Sequence, residues 1–125
     1  MQVASDPKAV SVAYIEAVGD KRLDELASLL HPRLEATIDD RTFNKDEWIA
    51  ALHRLAPILD RNDVRHTVVA GDQVSISYDF VTDTPVGAVP SVEWLGIEDG
   101  QIRTIRLMFQ TERWPEVMEE LARRA

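Results

Sequence analysis

The sequence predicts a single α+β domain in which helices cover one face of a strongly curved antiparallel sheet. In the first half of the chain, apolar residues recur mainly at helical spacing. In the second half they alternate with polar residues in several short segments, which is the pattern of half-buried strands. Helices followed by a run of strands are typical of α+β folds. Because such a sheet is half closed, we expect one apolar pocket at its middle.

The helices are predicted from capping residues and apolar stripes. Asp6 and Pro7 suit the N-cap and the first position of the first helix. Residues 23–30 form a second, short helix, which His31-Pro32 is expected to end. Asn44 is placed to cap a third helix, with two acidic residues in its first turn.

The strands are predicted from alternation between turn signals. They are expected near residues 33–38, 64–69, 74–81, 91–97 and 102–109, with turns at Asp39-Asp40-Arg41, Gly71-Asp72 and Glu98-Asp99-Gly100. A last helix begins near Trp114-Pro115. Residues 1–125 therefore read as one domain, of which residues 114–125 are a C-terminal helical extension.

Composition narrows the classes of function. The formal net charge of −8 disfavours nucleic acid and anionic membrane surfaces as partners, because both attract basic proteins. The chain has no cysteine, which excludes disulfides, thiolate nucleophiles and cysteine-based zinc sites. No signal-peptide pattern and no long apolar run are present, so we expect a cytoplasmic protein.

Four passages resemble a known family: AVSVAYIEAV, RLDELASLLHPRLEATI, NKDEWIAALHRL and the terminal hairpin WLGIEDGQIRTIRLMF. On these, over residues 6–110, the sequence resembles the SnoaL-like and ketosteroid-isomerase-like members of the nuclear-transport-factor-2-like (NTF2-like) superfamily. The resemblance implies a cone-shaped fold of the NTF2-like, cystatin-like type. It implies no single activity, because the superfamily includes isomerases, polyketide cyclases, epoxide hydrolases, dehydratases and non-catalytic members.

Glu93 is the first candidate for catalysis. Strand alternation places it on the same face as Leu95 and Ile97, and the resemblance to ketosteroid isomerases implies an acidic residue inside the pocket there. Burial would raise the pKa of this carboxyl group and suit it to acid/base chemistry. The alternative is an ion pair with Arg103 or Arg106, which would lower the pKa.

Tyr14 and Asp39 are the other catalytic candidates. Tyr14 lies on the inward stripe of the first helix, where the resemblance implies a hydrogen-bond donor to a substrate oxyanion. Asp39 lies one residue beyond the position at which the isomerases carry their general base, and only a bulge would bring it there. The alternatives are a core tyrosine and a solvated acidic turn.

Other chemistries have less support. A water-activating relay of the epoxide-hydrolase type could be imitated by Glu93, Arg103 or Arg106, and Asp39, but Gln110 stands where a second acid is expected. The three histidines show no metal-ligand spacing, so no metal site is predicted. No nucleotide-binding motif is present, and no cofactor is expected.

The leading hypothesis is a cofactor-free enzyme that performs isomerase-, cyclase- or dehydratase-type proton transfer on a small hydrophobic carbonyl or ring compound. The alternatives are a non-catalytic ligand-binding or dimerisation module and an epoxide-hydrolase-like enzyme. The outer sheet face, which includes Trp94, is expected to form a homodimer. The residues expected to contact the substrate are Val18, Trp48, Leu52, Leu55, Ile76, Tyr78, Phe80, Leu95, Arg103 and Phe109.

Overall fold

Six strands form one curved sheet whose concave face is covered by helices. The computed structural model describes residues 6–124. The elements are α1 (Pro7–Gly19), a 3-10 turn (Leu23–Glu25), α2 (Leu26–Leu29), β1 (Leu30–Ile38), β2 (Arg41–Phe43), α3 (Lys45–Leu55), a second 3-10 turn (Ala56–Ile58), β3 (Leu59–Ala70), β4 (Gln73–Thr82), β5 (Ala88–Glu98), β6 (Gln101–Phe109) and α4 (Trp114–Arg124). This arrangement confirms the predicted α+β class.

The strand order is β2-β1-β6-β5-β4-β3. All neighbouring strands are antiparallel except β1 and β6, which are parallel, with Ala36 opposite Ile105. The sheet is therefore mixed and not purely antiparallel as predicted. Most of the chain lies between β1 and β6, so no turn sequence joins them directly that could indicate whether they pair parallel or antiparallel.

The helix caps follow the sequence closely. The Asp6 side chain accepts a hydrogen bond from the Lys8 backbone N–H, and Pro7 occupies the first turn of α1. Asn44 and Glu47 form a reciprocal capping box at the start of α3. These local bonds satisfy N–H groups that the helix itself leaves free, which is why both starts were predictable.

The second helix and the first strand differ from the prediction. The helix ends at Leu29, and β1 already begins at Leu30, so that His31 and Pro32 belong to a strand. The pairing of β1 with β6 is irregular between Leu30 and Glu35. Pro32 has no N–H to contribute to the sheet, which accounts for an interruption at this point.

The core lies between the concave sheet face and helices α1 and α3. The largest fully buried side chains include Trp48, Tyr14, Ile15, Leu26, Ile76, Leu95 and Ile105. Among residues 6–124, no helix has the length and hydrophobicity needed to cross a membrane.

Candidate functional site

The concave face is organised in layers by the register of β4, β5 and β6. Opposite residues form successive rows, which from the closed end to the open end are Val74–Leu95–Ile105, Ile76–Glu93–Leu107, Tyr78–Ser91–Phe109 and Phe80–Val89. Side chains alternate between faces along a strand, so every member of these rows points into the cone. Glu93 is the only ionisable carboxyl group in these four rows.

A cavity of about 280 Å³ occupies the open end of the cone. Its apolar walls come from β1, α3, α4 and the two outermost rows, together with Leu107 from the row of Glu93. The lining residues are Ile38, Asp39, Arg41, Leu55, Tyr78, Phe80, Val89, Ser91, Leu107, Phe109, Thr111 and Trp114. A mostly apolar cavity with a few polar groups is the usual form of a small-molecule site.

Tyr78 connects this cavity to Glu93. The Tyr78 hydroxyl group lies 2.5 Å from Oε2 of Glu93 and donates a hydrogen bond to it. Both side chains are buried, with 4% and 3% of their surface exposed. Tyr78 lines the cavity but Glu93 does not, so the carboxyl group lies one layer beneath the cavity floor.

The environment of Glu93 changes its acidity. Burial raises the pKa of the Glu93 carboxyl group from its ordinary value of 4.5 to about 7, against the hydrogen bonds from Tyr78 and Tyr14, which lower it. Tyr14 makes the weaker of these contacts, outside good hydrogen-bond geometry. Burial and the neighbouring Glu93 carboxylate raise the pKa of both tyrosines well above 10. Glu93 is thus the group that can exchange a proton near neutral pH.

The mouth of the cavity carries charged groups. Asp39 lies in the two-residue turn between β1 and β2, with a φ of 54°. Aspartate adopts this left-handed conformation more readily than most residues. The turn places Asp39 on the cavity rim beside Arg41, whose guanidinium group also lies over the Phe43 ring.

The aromatic residue Trp114 closes one side of the mouth. The centroid of its ring lies 4.9 Å from that of Phe109 and 6.1 Å from that of Phe80, both edge to face. The first turn of α4 therefore forms part of the cavity wall, although α4 follows the sheet in the chain.

Solved structures show which fold this is. No protein-family model and no curated protein matches the sequence. An NTF2-like protein of unknown function from Cytophaga hutchinsonii superposes with a TM-score of 0.75 at 11% identity, covering 91% of this chain and 98% of that one. IdmH from Streptomyces antibioticus, a candidate polyketide cyclase, gives 0.78 at 13% identity, covering 91% and 99%.

This chain has the NTF2-like fold. A third similar structure is TerC, co-crystallised with polyporic acid, with a TM-score of 0.75 at 17% identity and coverage of 90% of this chain and 98% of that one. At these identities the likeness shows the fold alone, so the chemistry of this NTF2-like domain is argued from its own residues.

The predicted substrate contacts divide into two groups. Leu55, Tyr78, Phe80 and Phe109 line the cavity of the NTF2-like cone. Five others are packed around or below it: Val18, Trp48, Leu52, Ile76 and Leu95 belong to the hydrophobic core or pack against it. Arg103 does not line the cavity either. The closed end of the cone is therefore filled with side chains, and the cavity lies at its open end.

Of the predicted catalytic residues, the structure brings Tyr14 and Glu93 together beneath the cavity and places Asp39 on its rim. No bulge is needed for Asp39, because the left-handed turn residue itself reaches the rim. Tyr14 lies on α1, within the hydrophobic core, and does not line the cavity.

Arg103 does not pair with Glu93. Its nearest acidic partner is Glu98, with 3.9 Å between Nε and Oε1, and within residues 6–124 no ion pair includes Glu93. The register explains this, because Leu107 lies opposite Glu93 on β6. The predicted Glu93–Arg103 alternative is therefore wrong. The water-activating relay is not assembled either, because Arg106 is exposed on the outer face and Asp39 is at the rim.

Several cavity residues were missed by the sequence analysis. Ser91 and Val89 share the inward face of β5 with Glu93, so continued alternation could have identified them. Leu107 has the same relation to Phe109 on β6. Trp114 carried no such signal, since its place at the mouth depends on how α4 packs.

One cluster has side chains of the metal-ligand type: His31, Glu98 and Asp99. However, Nδ1 of His31 accepts a hydrogen bond of 3.0 Å from the Arg33 backbone N–H, so the proton of the neutral imidazole must be on Nε2. Nε2 faces the two carboxylates at 3.6 and 3.9 Å and in this tautomer has no lone pair for a metal ion. The cluster is a polar group in which Glu98 pairs with Arg33 and the neutral His31 turns its N–H towards the carboxylates.

Proposed function

We propose that the protein binds a small, mostly apolar ring or carbonyl compound in the cavity and catalyses proton transfer on it. The observation that carries the proposal is the position of Tyr78, which lines the cavity and is hydrogen-bonded to a buried carboxyl group. TerC with polyporic acid and the candidate polyketide cyclase IdmH are consistent with a ring-containing ligand in a cone of this kind.

The Tyr78–Glu93 pair offers two states to a ligand. When Glu93 is ionised, the Tyr78 hydroxyl donates its proton to the carboxylate, as in the structure. When Glu93 is protonated, the carboxylic acid can donate to Tyr78 instead, which frees the Tyr78 proton for an oxygen atom in the cavity. A carbonyl oxygen of the ligand would receive this hydrogen bond, and developing negative charge on it would strengthen the bond.

Asp39 supplies the second role in this proposal. Its carboxylate group lies on the rim of the same cavity, where it is placed to take a proton from a carbon atom of the ligand. Abstraction of a proton next to a carbonyl group by Asp39 leaves an enolate whose oxygen accepts the hydrogen bond from Tyr78, and Asp39 can then return the proton to the same or another carbon atom. This is proton transfer of the isomerase, cyclase or dehydratase kind.

Hydrogen–deuterium exchange tests this reaction without knowledge of the natural substrate. A panel of cyclic and aromatic ketones is incubated with the protein in D₂O, and loss of the α-proton signals is followed by NMR. We expect exchange above the buffer rate for ring ketones that fit the cavity. Asp39→Asn and Tyr78→Phe should each reduce it by about a hundredfold or more.

The matched control is Glu98→Gln, which removes an exposed carboxylate group from β5, the strand of Glu93, at a position outside the cavity. It should leave the exchange rate unchanged. Equal losses in Glu98→Gln and Tyr78→Phe, or no exchange with any ketone that binds, would contradict the enzymatic proposal.

A non-catalytic ligand-binding module is the second candidate. It is favoured by the packing beneath the cavity, where Trp48 and Tyr14 fill the cone and Glu93 has no surface on the cavity wall. In that case ketones would quench the fluorescence of Trp114 with the same affinity in the parent, Tyr78→Phe and Asp39→Asn proteins, without any exchange.

We also propose that the outer face of the sheet pairs with a second copy of the chain. The outward residues form two cross-strand rows, Val68–Ser75–Trp94–Arg106 and His66–Ser77–Val92–Met108. Trp94 is 53% exposed and Val68 is 64% exposed, so the face presents large apolar groups among small polar ones. A two-fold contact would bury these groups against their own equivalents.

A further inference from the structure

The Tyr14 hydroxyl group is held by an indole from the other helix that covers the cone. Nε1 of Trp48 on α3 donates a hydrogen bond of 2.9 Å to Oη of Tyr14 on α1. Trp48 is 2% exposed and Tyr14 is 1% exposed, so no water competes for either group. A buried Trp–Tyr bond of this kind joins two helices, but it also fixes where the tyrosine proton can go.

A hydroxyl group has one proton to donate, and an indole N–H can only donate. Because Trp48 occupies an acceptor position of the Tyr14 oxygen, the Tyr14 proton must point to a different group. Besides the indole, the polar neighbours of the Tyr14 hydroxyl group are the Glu93 carboxyl group and the Tyr78 hydroxyl group, and the second of these already donates its own proton to Glu93.

Glu93 has an oxygen atom available for this proton. Tyr78 donates to Oε2, whereas the buried Oε1 has no hydrogen-bond partner in the part of the chain that the structure describes. A buried polar atom without a partner is unfavourable, which gives Oε1 a strong preference for a donor.

We propose that Trp48 is a positioning residue for the Tyr78–Glu93 pair, because its N–H directs the Tyr14 proton towards Oε1 of Glu93. Donation from Tyr14 to Oε1 would complete a tyrosine donor on each oxygen atom, where the structure itself shows only the bond from Tyr78 to Oε2. The catalytic meaning of this role rests on the proposed function, but the hydrogen-bond arrangement does not.

Through Tyr14, Trp48 should affect the pKa of the Glu93 carboxyl group. Donation from Tyr14 favours the ionised form of Glu93. If the Tyr14 proton no longer points towards Glu93, the pKa of the carboxyl group should therefore rise. The titratable groups facing Glu93 are Tyr14 from α1 and Tyr78 from β4, while its row neighbours on β4 and β6 are Ile76 and Leu107. No cation from these elements pairs with it, so its acidity depends on the two hydroxyl groups.

The test is an NMR titration of the Glu93 side-chain carbon in four full-length proteins: parent, Trp48→Phe, Tyr14→Phe and the double variant. Trp48→Phe keeps an aromatic ring and removes the N–H. We expect the pKa of Glu93 to rise by about one unit in each single variant, the effect of losing one hydrogen bond to a charged group. The double variant should show no further rise, because Trp48 acts through Tyr14.

Phe43→Leu is the matched control for packing. The Phe43 ring lies edge to face against Trp48, with 5.4 Å between centroids, but takes no part in the hydrogen bonds. It should leave the pKa of Glu93 unchanged. An equal rise in Phe43→Leu, no rise in Trp48→Phe, or additive rises in the double variant would overturn the proposal.

The outcome separates this inference from the proposed function. If the pKa of Glu93 responds to Trp48 as described but no ketone exchanges, the positioning role holds and the enzymatic proposal fails. If exchange depends on Tyr78 and Asp39 while Trp48→Phe leaves both the pKa of Glu93 and the pH profile of exchange unchanged, the enzymatic proposal holds and the positioning role of Trp48 fails. Should Trp48→Phe fold poorly, Tyr14→Phe alone still tests whether Oε1 takes its proton from Tyr14.

Discussion

Glu93 is a buried carboxyl group whose neighbours are hydroxyl groups instead of cations. Such a group is unfavourable when charged, because the interior solvates it less well than water does. The two tyrosines offset only part of this penalty, since the pKa remains near 7. Glu93 therefore reduces the stability of the fold whenever it is ionised.

The raised pKa of Glu93 makes the stability of the fold depend on pH. Between pH 4.5 and about 7 the carboxyl group is ionised in the unfolded chain and protonated in the folded one, so the folded state binds more protons and the free energy of unfolding falls as the pH rises. The loss attributable to Glu93 is about 3 kcal/mol by pH 8. Glu93→Gln, which resembles the neutral acid, should lack this contribution.

Urea denaturation of the parent and Glu93→Gln proteins at pH 4.5 and pH 8 measures the contribution of Glu93 to the free energy of unfolding. The two proteins should be similar at the lower pH, and the variant should be the more stable at the higher one. A constant difference between them across this range would show that Glu93 is not titrating in the folded protein.

For individual residues, the sequence predicted which way a side chain points better than which groups it contacts. Alternation with Leu95 and Ile97 placed Glu93 inside the cone, and all three are buried. The bond to Tyr78 is diagonal, between neighbouring rows, and depends on the register of β4 against β5. The Trp48–Tyr14 bond depends on the relative height of two helices. Neither register nor height is contained in a periodic pattern.

The helix α4 is the element that links stability to the cavity. Val117 is fully buried, and Arg124 donates to the backbone oxygens of Pro57 and Asp83 and pairs with the Asp83 carboxylate. These contacts fix both ends of α4 against the open side of the cone, with Trp114 in the cavity wall.

Truncation after Arg113 tests this docking. Loss of the buried parts of Trp114 and Val117 should lower the free energy of unfolding by about 2–4 kcal/mol, measured by urea denaturation. Met118→Ser, a change on the exposed side of the same helix, should alter it by less than about 0.5 kcal/mol. A truncated chain with the parent midpoint would mean that α4 is not part of the folded unit.

The elements themselves were predicted with uneven success. The caps at Asp6 and Asn44 are local, and both helix starts were predicted correctly. The three-residue strand β2 was not predicted, and its first residue, Arg41, was assigned to the preceding turn, because a segment that short has no measurable alternation. The parallel pairing of β1 with β6 was missed, since it joins segments that no local signal relates.

For the whole molecule, the proposed two-fold contact predicts a particle of twice the chain mass of 14.1 kDa. Sedimentation velocity at micromolar concentration measures this. Trp94→Glu should shift the population to monomer, because it places a charge in a desolvated contact. Asp72→Asn, in the exposed turn between β3 and β4, is the control and should leave the dimer intact. A parent protein that sediments as a monomer would refute the contact.

The neighbouring positions of β1 and β6 also determine when this protein can fold. Ala36 and Ile105 pair directly, although most of the chain lies between them. During synthesis on the ribosome, the apolar face of β1 is exposed before its partner has been made. Contacts of such long range slow folding, and the transient exposure favours aggregation. We therefore infer that the cone closes late, once β6 has left the ribosome, with the cavity forming in the same step as the sheet.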